Sequence, residues 1–595
     1  MSAINEVEDN EKEKNEPLAN EPEGINEISS SKIKLLYAAT VGGVLLIIII
    51  VVIFVIFFGG NNNKNITPKD NKNDTNTDSG SDYDPYIYKN LTNYFTAKYN
   101  IENNDTEIEL FNEKYLNSIS LMLVDDKKTN ISNKYKFMEV KEHTVTIEFN
   151  KNLESTDEMF KNIVNLQGIF FTKFKTEDIK NMSGMFHSCI SLTSLNLTTF
   201  DTHKVTNMSY LFYNCSIINN ILLNNFDTSN VLDMKYMFSD CNAITSLNLE
   251  KFNTKSVKEI KNIFNSCYNL ENIQVGNDFI ISGITDLSGL FSNCFKLSKI
   301  NITNFDTSET TNMSSLFRNC AKLTSVDLSK FNTSKVVNMS YMFSSCFALT
   351  SIDISNFDTS NVEDMRELFS TCSKIKELNL KNFKTSKVKN MNSMFCRCYS
   401  IESLDLTNFD TSQVVDMNKM FDFCQLMTKL DLSNFDTSKV TDMSYMFAAS
   451  PSLTSINLSS FNTKNVKSLE NMFYGDSALI NIDLSSFDTS NTNFITNMFH
   501  GCSSLTSLDL SNFDISKVNS LNGLFANCYN LTFIDISLFS SESLNGENNY
   551  IFPGKASNGT VIYNSKIFNK ELINIIFEDW EKNDINSDSK LLIFK

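Results

Sequence analysis

Thirteen cysteines are the most reactive side chains of this 595-residue chain, and twelve of them recur at one position of a repeating pattern. A thiol can form a disulfide, bind a metal or act as a nucleophile, but each use needs a suitably placed partner. Only four histidines are present, and they are scattered. We therefore expect a buried column of parallel, unbridged thiols that behave as small hydrophobic side chains. Its members include Cys189, Cys215, Cys241, Cys320, Cys346, Cys372 and Cys424.

Two polar residues, Ser450 and Asp476, interrupt the cysteine column. A carboxylate at an otherwise apolar position is costly unless the protein adapts around it. Two interpretations of Asp476 stay open, a local distortion of the chain and a specialised ligand site. In the first repeat Ile163 occupies the cysteine position, as an apolar slot predicts.

A second recurring position carries acids or amides with serine and threonine around it, and we expect it on the outward face of a strand. Two interpretations stay open: a solvated face that keeps the sheet soluble, and a recognition surface for a basic protein patch or a polar glycan. Calcium is not expected, because the glycine-rich nonapeptide of calcium-binding β-rolls is missing and the chain has only 17 glycines. The acids proposed for this face are Asp327, Asp353, Asp405, Asp431, Asp483, Asp509 and Asp535.

Composition argues against two broad function classes. The net charge of −18 and the presence of only three arginines leave little material for phosphate contacts, so nucleic acid is not an expected partner. The sequence also lacks a phosphate-binding loop, a nucleophile elbow and a zinc motif. We therefore predict no catalysis and no cofactor.

These positions belong to a 26-residue repeat whose most regular member is a phenylalanine, running from Phe160 to Phe525 with a single 27-residue step after Phe264. A fixed period of this size indicates a solenoid. Counted from that phenylalanine, apolar residues at +9 and +11 predict a short strand, whereas those at +22, +25 and +26 predict one face of a short helix. The predicted fold is α/β: a leucine-rich-repeat-like solenoid of about 15 coils with a parallel sheet and short helices, capped at both ends, with one N-terminal transmembrane helix.

The repeat resembles a known family. The segment Asp-Met-Ser-Tyr-Met-Phe at 442–447, followed by Leu-Thr-Ser at 453–455, is similar to the 26-residue units of BspA-like leucine-rich repeat surface proteins, the domain of unknown function 285 group. The resemblance covers about residues 155–540. It implies a surface-exposed solenoid that adheres to matrix proteins or to other cells, and it brings no catalytic residues.

Composition changes along the chain predict six regions. An acidic, proline-containing start and a polar Gly/Asn/Asp stretch cannot bury a core. Non-repeating sequence on either side of the repeats is expected to cover the open ends of the stack. The regions are a disordered acidic cytoplasmic tail (1–34), a transmembrane helix (35–58), a flexible stalk (59–84), an N-terminal cap (85–158), the solenoid (159–540) and a C-terminal cap (541–595).

Residues 35–58 form a run of 24 uncharged residues, about 36 Å long as a helix and enough to cross a bilayer. A secretory signal is the competing interpretation, but the run is long for one and an acidic stretch precedes it. Glycosylation sequons occur only after the run, which favours an external C-terminal region. The sequence thus predicts a single-pass type II plasma-membrane protein that contacts lipid through residues 35–58. Possible glycosylation sites include Asn65, Asn73, Asn90, Asn104 and Asn130.

The function predicted from these features is that of a membrane-anchored cell-surface repeat protein. It would bind an external protein or glycan in adhesion or recognition, without catalysis. Two alternatives are kept: a structural surface coat with no specific ligand, and a receptor ectodomain.

Overall fold

The computed structural model describes residues 87–539 together with two later strands at 560–564 and 592–594. All of them belong to one unit, Ser81–Lys595. The predicted tail, membrane span and stalk lie outside the described residues, as does most of the predicted C-terminal cap.

The part before the repeats is built around a five-stranded antiparallel sheet in the order β4-β3-β6-β1-β7. Alternation of apolar and polar residues in β6 places Val145 and Ile147 in the core, as a half-buried strand requires. Phe95 of β1 meets the Phe160 ring of the first coil edge to face, with centroids 5.3 Å apart. The elements are α1 (Ile87–Asn90), β1 (Tyr94–Asn100), β2 (Thr106–Glu109), a 3-10 helix (Glu113–Ser118), β3 (Ile119–Val124), β4 (Lys127–Lys128), β5 (Lys134–Phe137), β6 (Glu142–Phe149) and β7 (Leu166–Phe170), with β2 and β5 paired in a separate antiparallel sheet.

The repeats form short parallel strands that pair one coil apart. In β14 and β15, for example, Leu508 lies opposite Ile534. A second column of parallel bridges runs from Ser155 to Glu259 and again from Asp286 to Phe494, and the solenoid has about 13 turns. The strands are β8 (Ser194–Asn196), β9 (Asn220–Leu222), β10 (Ser246–Leu249), β11 (Asn272–Val275), β12 (Lys429–Asp431), β13 (Ser455–Asn457), β14 (Ser507–Asp509), β15 (Phe533–Asp535), β16 (Thr560–Asn564) and β17 (Leu592–Phe594), the last two extending the β14–β15 sheet in parallel.

The predicted α/β fold class is wrong, because the molecule is a β-solenoid of about 13 turns and not a stack of about 15 strand–helix coils. Where the short helices were predicted, the backbone N–H groups alternate between two partners. Phe343 N donates to Leu368 O of the next coil at 3.0 Å, whereas Met342 N donates to Met339 O at 3.2 Å. An α-helix would direct every N–H to the carbonyl four residues earlier.

Left-handed residues on both sides of the phenylalanine enforce this pattern. Tyr341 has φ of 60° and Ser345 has φ of 61°, and Tyr445 and Ala449 repeat the pair at 57° and 54°. Such residues cost roughly 1–2 kcal/mol each and do not occur inside α-helices. The apolar spacing still resembles that of a helix, because three side chains of each coil point into the core at offsets +22, +25 and +26, as Met339, Met342 and Phe343 do.

The predicted single-pass plasma-membrane placement is also wrong by the following finding. Within the described ranges, no helix combines the length and the apolar character needed to cross a membrane. The predicted span, residues 35–58, is not among them.

The core is organised around the column of repeat phenylalanines. In the described chain, consecutive rings from Phe160 to Phe525 are stacked at every step, with centroids 5.5–6.1 Å apart and planes within 22° of each other. The rings are buried against Met, Leu and Ile side chains. Aromatic burial and stacking together make this column the main apolar contribution to stability.

The 27-residue step leaves the ring column intact, since Phe264 and Phe291 stack at 5.7 Å. The extra residue lies in the turn after β11. There a Cβ on Gly276 would stand 2.1 Å from Glu250 O, so only glycine allows the two coils to approach.

The ring column predicts a large cost for losing one member. Phe343→Ala removes a fully buried ring between Phe317 and Phe369, and we expect the free energy of unfolding in urea to fall by about 3–5 kcal/mol. The matched control is Phe347→Ala, four residues later, whose side chain is 44% exposed. Its expected loss is within about 1 kcal/mol. Equal losses in the two variants would contradict a core built on the column.

Candidate functional site

The cysteine column lies in the core beside the phenylalanines, and its thiols are free and buried in the described chain. Each thiol donates to the carbonyl of the repeat phenylalanine one coil earlier, as Cys189 Sγ does to Phe160 O at 3.1 Å. Burial raises the pKa of these thiols, so they are not nucleophilic thiolates. The predicted members Cys189, Cys215, Cys241, Cys320, Cys346, Cys372 and Cys424 all make this bond.

Sequence reasoning treated the thiols as apolar fillers and missed their role as donors. The signal was present at Ser450, a hydroxyl residue in the same column. Ser450 Oγ donates to Phe421 O at 3.2 Å and so replaces a thiol in its bond.

Asp476 occupies the cysteine position two coils before the end of the ring column, and it is fully buried. Its Oδ1 accepts a hydrogen bond from Ser450 N at 2.9 Å, whereas its Oδ2 has no partner. Burial raises the pKa of this carboxyl well above its usual range. Phe473 stacks normally on both neighbouring rings, so the coil is not distorted and a neutral acid fits the slot.

A second buried carboxyl, Asp422, lies near this position. Burial raises the pKa of Asp422 to about 7. Its Oδ2 is 3.7 Å from Cys396 Sγ, and its Oδ1 has no hydrogen-bond partner. Over the described ranges, no three His, Cys, Asp or Glu side chains converge in a way that could hold a metal ion.

The acidic positions lie where the short strands end, at the surface. In each coil Oδ1 of the acid accepts the N–H of the residue two places later, as Asp431 does from Ser433 at 3.0 Å. These turns hold the acids in one row, with six side chains exposed and Asp535 half-buried. We call this row, with the seven predicted acids, the acidic ribbon. The same bond is made by Asp327, Asp353, Asp405, Asp431, Asp483, Asp509 and Asp535.

The turn bonds also fix the charge of the acidic ribbon. Hydrogen bonds from the residue two places later lower the pKa of the carboxyls of Asp327, Asp353 and Asp405. The same cause acts at Asp431 and Asp483. These five carboxyls of the ribbon therefore stay anionic well into the acidic range.

A buried threonine in the Phe-Asp-Thr-Ser segment holds each coil to the next, and sequence reasoning missed it. Thr333 Oγ1 donates to Asp358 O at 2.9 Å and accepts from Asp358 N at 2.8 Å. We call this pair of bonds the threonine clamp. Its sequence signal is a threonine at one fixed position in almost every coil, where a surface turn would tolerate other polar residues.

The predicted glycosylation positions Asn90, Asn104 and Asn130 are exposed. Asn65 and Asn73 fall outside the described residues.

Family comparison agrees with the repeat. The family described as "Mycoplasma protein of unknown function, DUF285" matches residues 129–274, 285–404, 363–456 and 449–565, well over half of the chain. The chain belongs to the DUF285 family. The resemblance to BspA-like repeat proteins is thereby confirmed. The gap at 275–284 in the family match coincides with the 27-residue step of this DUF285 chain.

Among solved structures, one similar chain is titled "The Crystal structure of Pneumococcal vaccine antigen PcpA". It is 14% identical, with a TM-score of 0.29, and the match covers 68% of this DUF285 chain and 80% of the other. A superposition this poor carries no argument about function. The comparison with curated proteins gives no match.

Placing a cysteine at position 476, as in most other coils, tests whether Asp476 is a neutral acid in the core. Asp476 stays protonated when folded but ionises above about pH 4 when unfolded, so it reduces stability increasingly as pH rises above the unfolded pKa. We expect Asp476→Cys to be more stable than the wild type in urea, by a margin that widens from about pH 4 to pH 7.

The control for that experiment is Asp405→Asn, because hydrogen bonds from Thr407 lower the pKa of Asp405 in the folded state. The expected pH dependence of this variant's stability has the opposite sign. The Asp405 carboxylate stabilises the folded state above the unfolded pKa, and that contribution is lost as pH falls through the folded pKa. A pH-independent margin for Asp476→Cys would show that Asp476 is ionised in the core.

Proposed function

We propose that this DUF285 solenoid is a non-enzymatic, cell-surface recognition protein that binds a basic patch of an external protein through its acidic ribbon. The single observation that carries the proposal is the row of surface carboxylates, each fixed by the same backbone bond and repeated in most coils from Asp327 to Asp535, with asparagine at positions 379 and 457. Regularly spaced charge on a rigid face steers and orients a complementary partner.

The turn bonds favour binding because the acids are already ordered. Asp431 Oδ1 is held by Ser433 N at 3.0 Å and Asp483 Oδ1 by Ser485 N at 2.9 Å. A partner therefore does not have to order these side chains, and less conformational entropy is lost on association. One carboxylate oxygen serves the turn, and the charge remains available at the surface.

The proposal of a non-catalytic role rests on where the reactive groups lie. The column thiols donate to backbone carbonyls inside the core, as Cys346 Sγ does to Phe317 O. His143 is buried and paired with Asp125 at 2.7 Å, whereas His203 is a surface residue bonded to Asp201. These groups support the fold and do not converge on a common cavity.

Replacing Asp405, Asp431 and Asp483 together by asparagine tests the acidic ribbon. Asparagine occurs naturally in this row at Asn379 and Asn457 and keeps the turn bond, as Asn457 Oδ1 does with Ser459 N. We expect the triple asparagine variant to fold normally and to bind surfaces coated with matrix proteins at least tenfold more weakly. A triple lysine variant should bind weaker still.

The matched control is the same triple replacement at Asp410, Asp436 and Asp488, which lie in a different turn of the same three coils. This control removes equal charge away from the ribbon and should leave binding nearly unchanged. Wild-type binding by the ribbon variant would overturn the proposal and favour a structural coat.

A further inference from the structure

The coil that begins at Phe369 differs from the rest of this acidic chain in its charge. Between residues 374 and 389 it carries six lysines and one acid, Glu377, although the whole chain has a net charge of −18. The lysines are Lys374, Lys376, Lys381, Lys384, Lys387 and Lys389.

Lys384 stands where the neighbouring coils have an aspartate, Asp358 before it and Asp410 after it. The threonine clamp still holds its backbone, because Lys384 N donates to Thr359 Oγ1 at 2.7 Å and Thr359 Oγ1 donates to Lys384 O at 2.9 Å. The coil thus keeps its conformation while the turn aspartate is exchanged for an exposed ammonium group.

Lys381 is fixed in a similar way, at a position where most other coils have serine or threonine. Its N–H donates to Asn379 Oδ1 at 3.3 Å, and its carbonyl accepts from Asn408 Nδ2 at 2.7 Å. Lys389, in contrast, is paired with Glu363 at 2.7 Å. Neither Lys381 nor Lys384 forms a salt bridge within the described part of the chain.

A surface cavity of about 580 Å³ lies beside these two lysines. Its walls come from three consecutive coils, and the buried rings of Phe357 and Phe383 contribute to its lining. The asparagines that border it are held by backbone carbonyls: Asn356 Nδ2 donates to Phe331 O at 2.8 Å, and Asn382 Nδ2 donates to Ser355 O. The volume is within the range of small-molecule sites, roughly 300–1,000 Å³.

One acid, Asp358, also lines the cavity. Its Oδ1 accepts a hydrogen bond from Ser360 N at 3.0 Å, so part of its charge is engaged in the turn. Two lysines against one aspartate leave the lining net positive. Ser355 Oγ donates to Asp353 Oδ1 at 2.6 Å, and the amide groups of Asn382 and Asn408 donate to backbone carbonyls. These neutral side chains therefore offer their oxygen atoms as acceptors around that charge.

We propose that this lysine pocket, lined by Lys381, Lys384, Asn382, Asn408 and Ser355, binds an acidic sugar residue that carries a carboxylate or a sulfate. The ammonium groups of the two lysines pair with the anionic group, and the side-chain oxygens of the asparagines and Ser355 accept hydrogen bonds from the sugar hydroxyls. A sugar suits the pocket better than an acidic peptide, because neutral amide and hydroxyl groups form most of its polar lining. The inference rests on the proposed function only in treating the solenoid as a ligand-binding surface.

The test uses the full chain and three probes: hyaluronan oligosaccharides, which carry carboxylates; heparin fragments, which also carry sulfates; and neutral dextran. The informative variant is Lys381→Ser with Lys384→Asp, which restores the residues found at these positions in other coils, including an acid two places before Ser386. We expect the variant to fold normally and to bind the acidic probes at least tenfold more weakly in calorimetry. The wild type should not bind dextran.

The control is Lys429→Ser with Lys464→Asp, an equal change of charge at two exposed lysines away from the pocket. It should bind both acidic probes like the wild type. Preference for hyaluronan identifies the carboxylate as the recognised group, and preference for heparin identifies the sulfate. The proposed site would be overturned if the pocket variant bound the acidic probes like the wild type. It would also be overturned if the pocket and control variants lost binding equally.

A polyglutamate peptide serves as the last probe, and tighter binding of this peptide than of either acidic saccharide would overturn the sugar assignment. The triple asparagine variant of the acidic ribbon should bind the saccharides at least as tightly as the wild type, because it removes Asp405, a negative charge that interacts with Lys381. The proposals for the lysine pocket and for the acidic ribbon can therefore be refuted independently.

Discussion

The alternating backbone hydrogen bonds around each repeat phenylalanine are the constraint on which the solenoid depends. Phe343 N bonds to the next coil while Met342 N bonds within its own, and this alternation holds only with left-handed residues at Tyr341 and Ser345. The strain is compensated because the geometry brings every ring onto the one below it. The thiols then find their acceptors in carbonyls of the same phenylalanines, so core packing and polar satisfaction come from one backbone conformation.

Much of this architecture was predictable from spacing alone. The 26-residue period located the ring column and the thiol column, and the alternation of apolar residues located strands such as β14. The helix prediction failed because apolar offsets report which side chains face inward and not the sign of φ. At Tyr341 and Arg397, nothing in the side chain announces a left-handed residue. The acids of the ribbon were found, but their turn bonds were not, because a pattern of surface acids does not reveal which backbone N–H each one accepts.

Two kinds of carboxyl in this protein show how burial and hydrogen bonding shift acidity in opposite directions. Asp405 lies at the surface, where hydrogen bonds from Thr407 lower its pKa. Asp476 lies in the core, where one backbone hydrogen bond does not offset the loss of water and its pKa rises. Sequence position alone marked Asp476 as unusual. Only the undisturbed stacking of Phe473 showed that the fold accommodates it as a neutral acid.

The threonine clamp separates what holds a coil together from what the coil displays. Thr359 binds the backbone of Lys384 in the same way as Thr333 binds the backbone of Asp358. The other bonds between coils likewise join neighbouring coils at fixed offsets, and the 27-residue step shows that one extra residue is absorbed in a turn. Whole 26-residue units can thus be duplicated or deleted in the gene with their contacts intact. The length of the protein and the pattern of its surface can therefore change independently over evolutionary time.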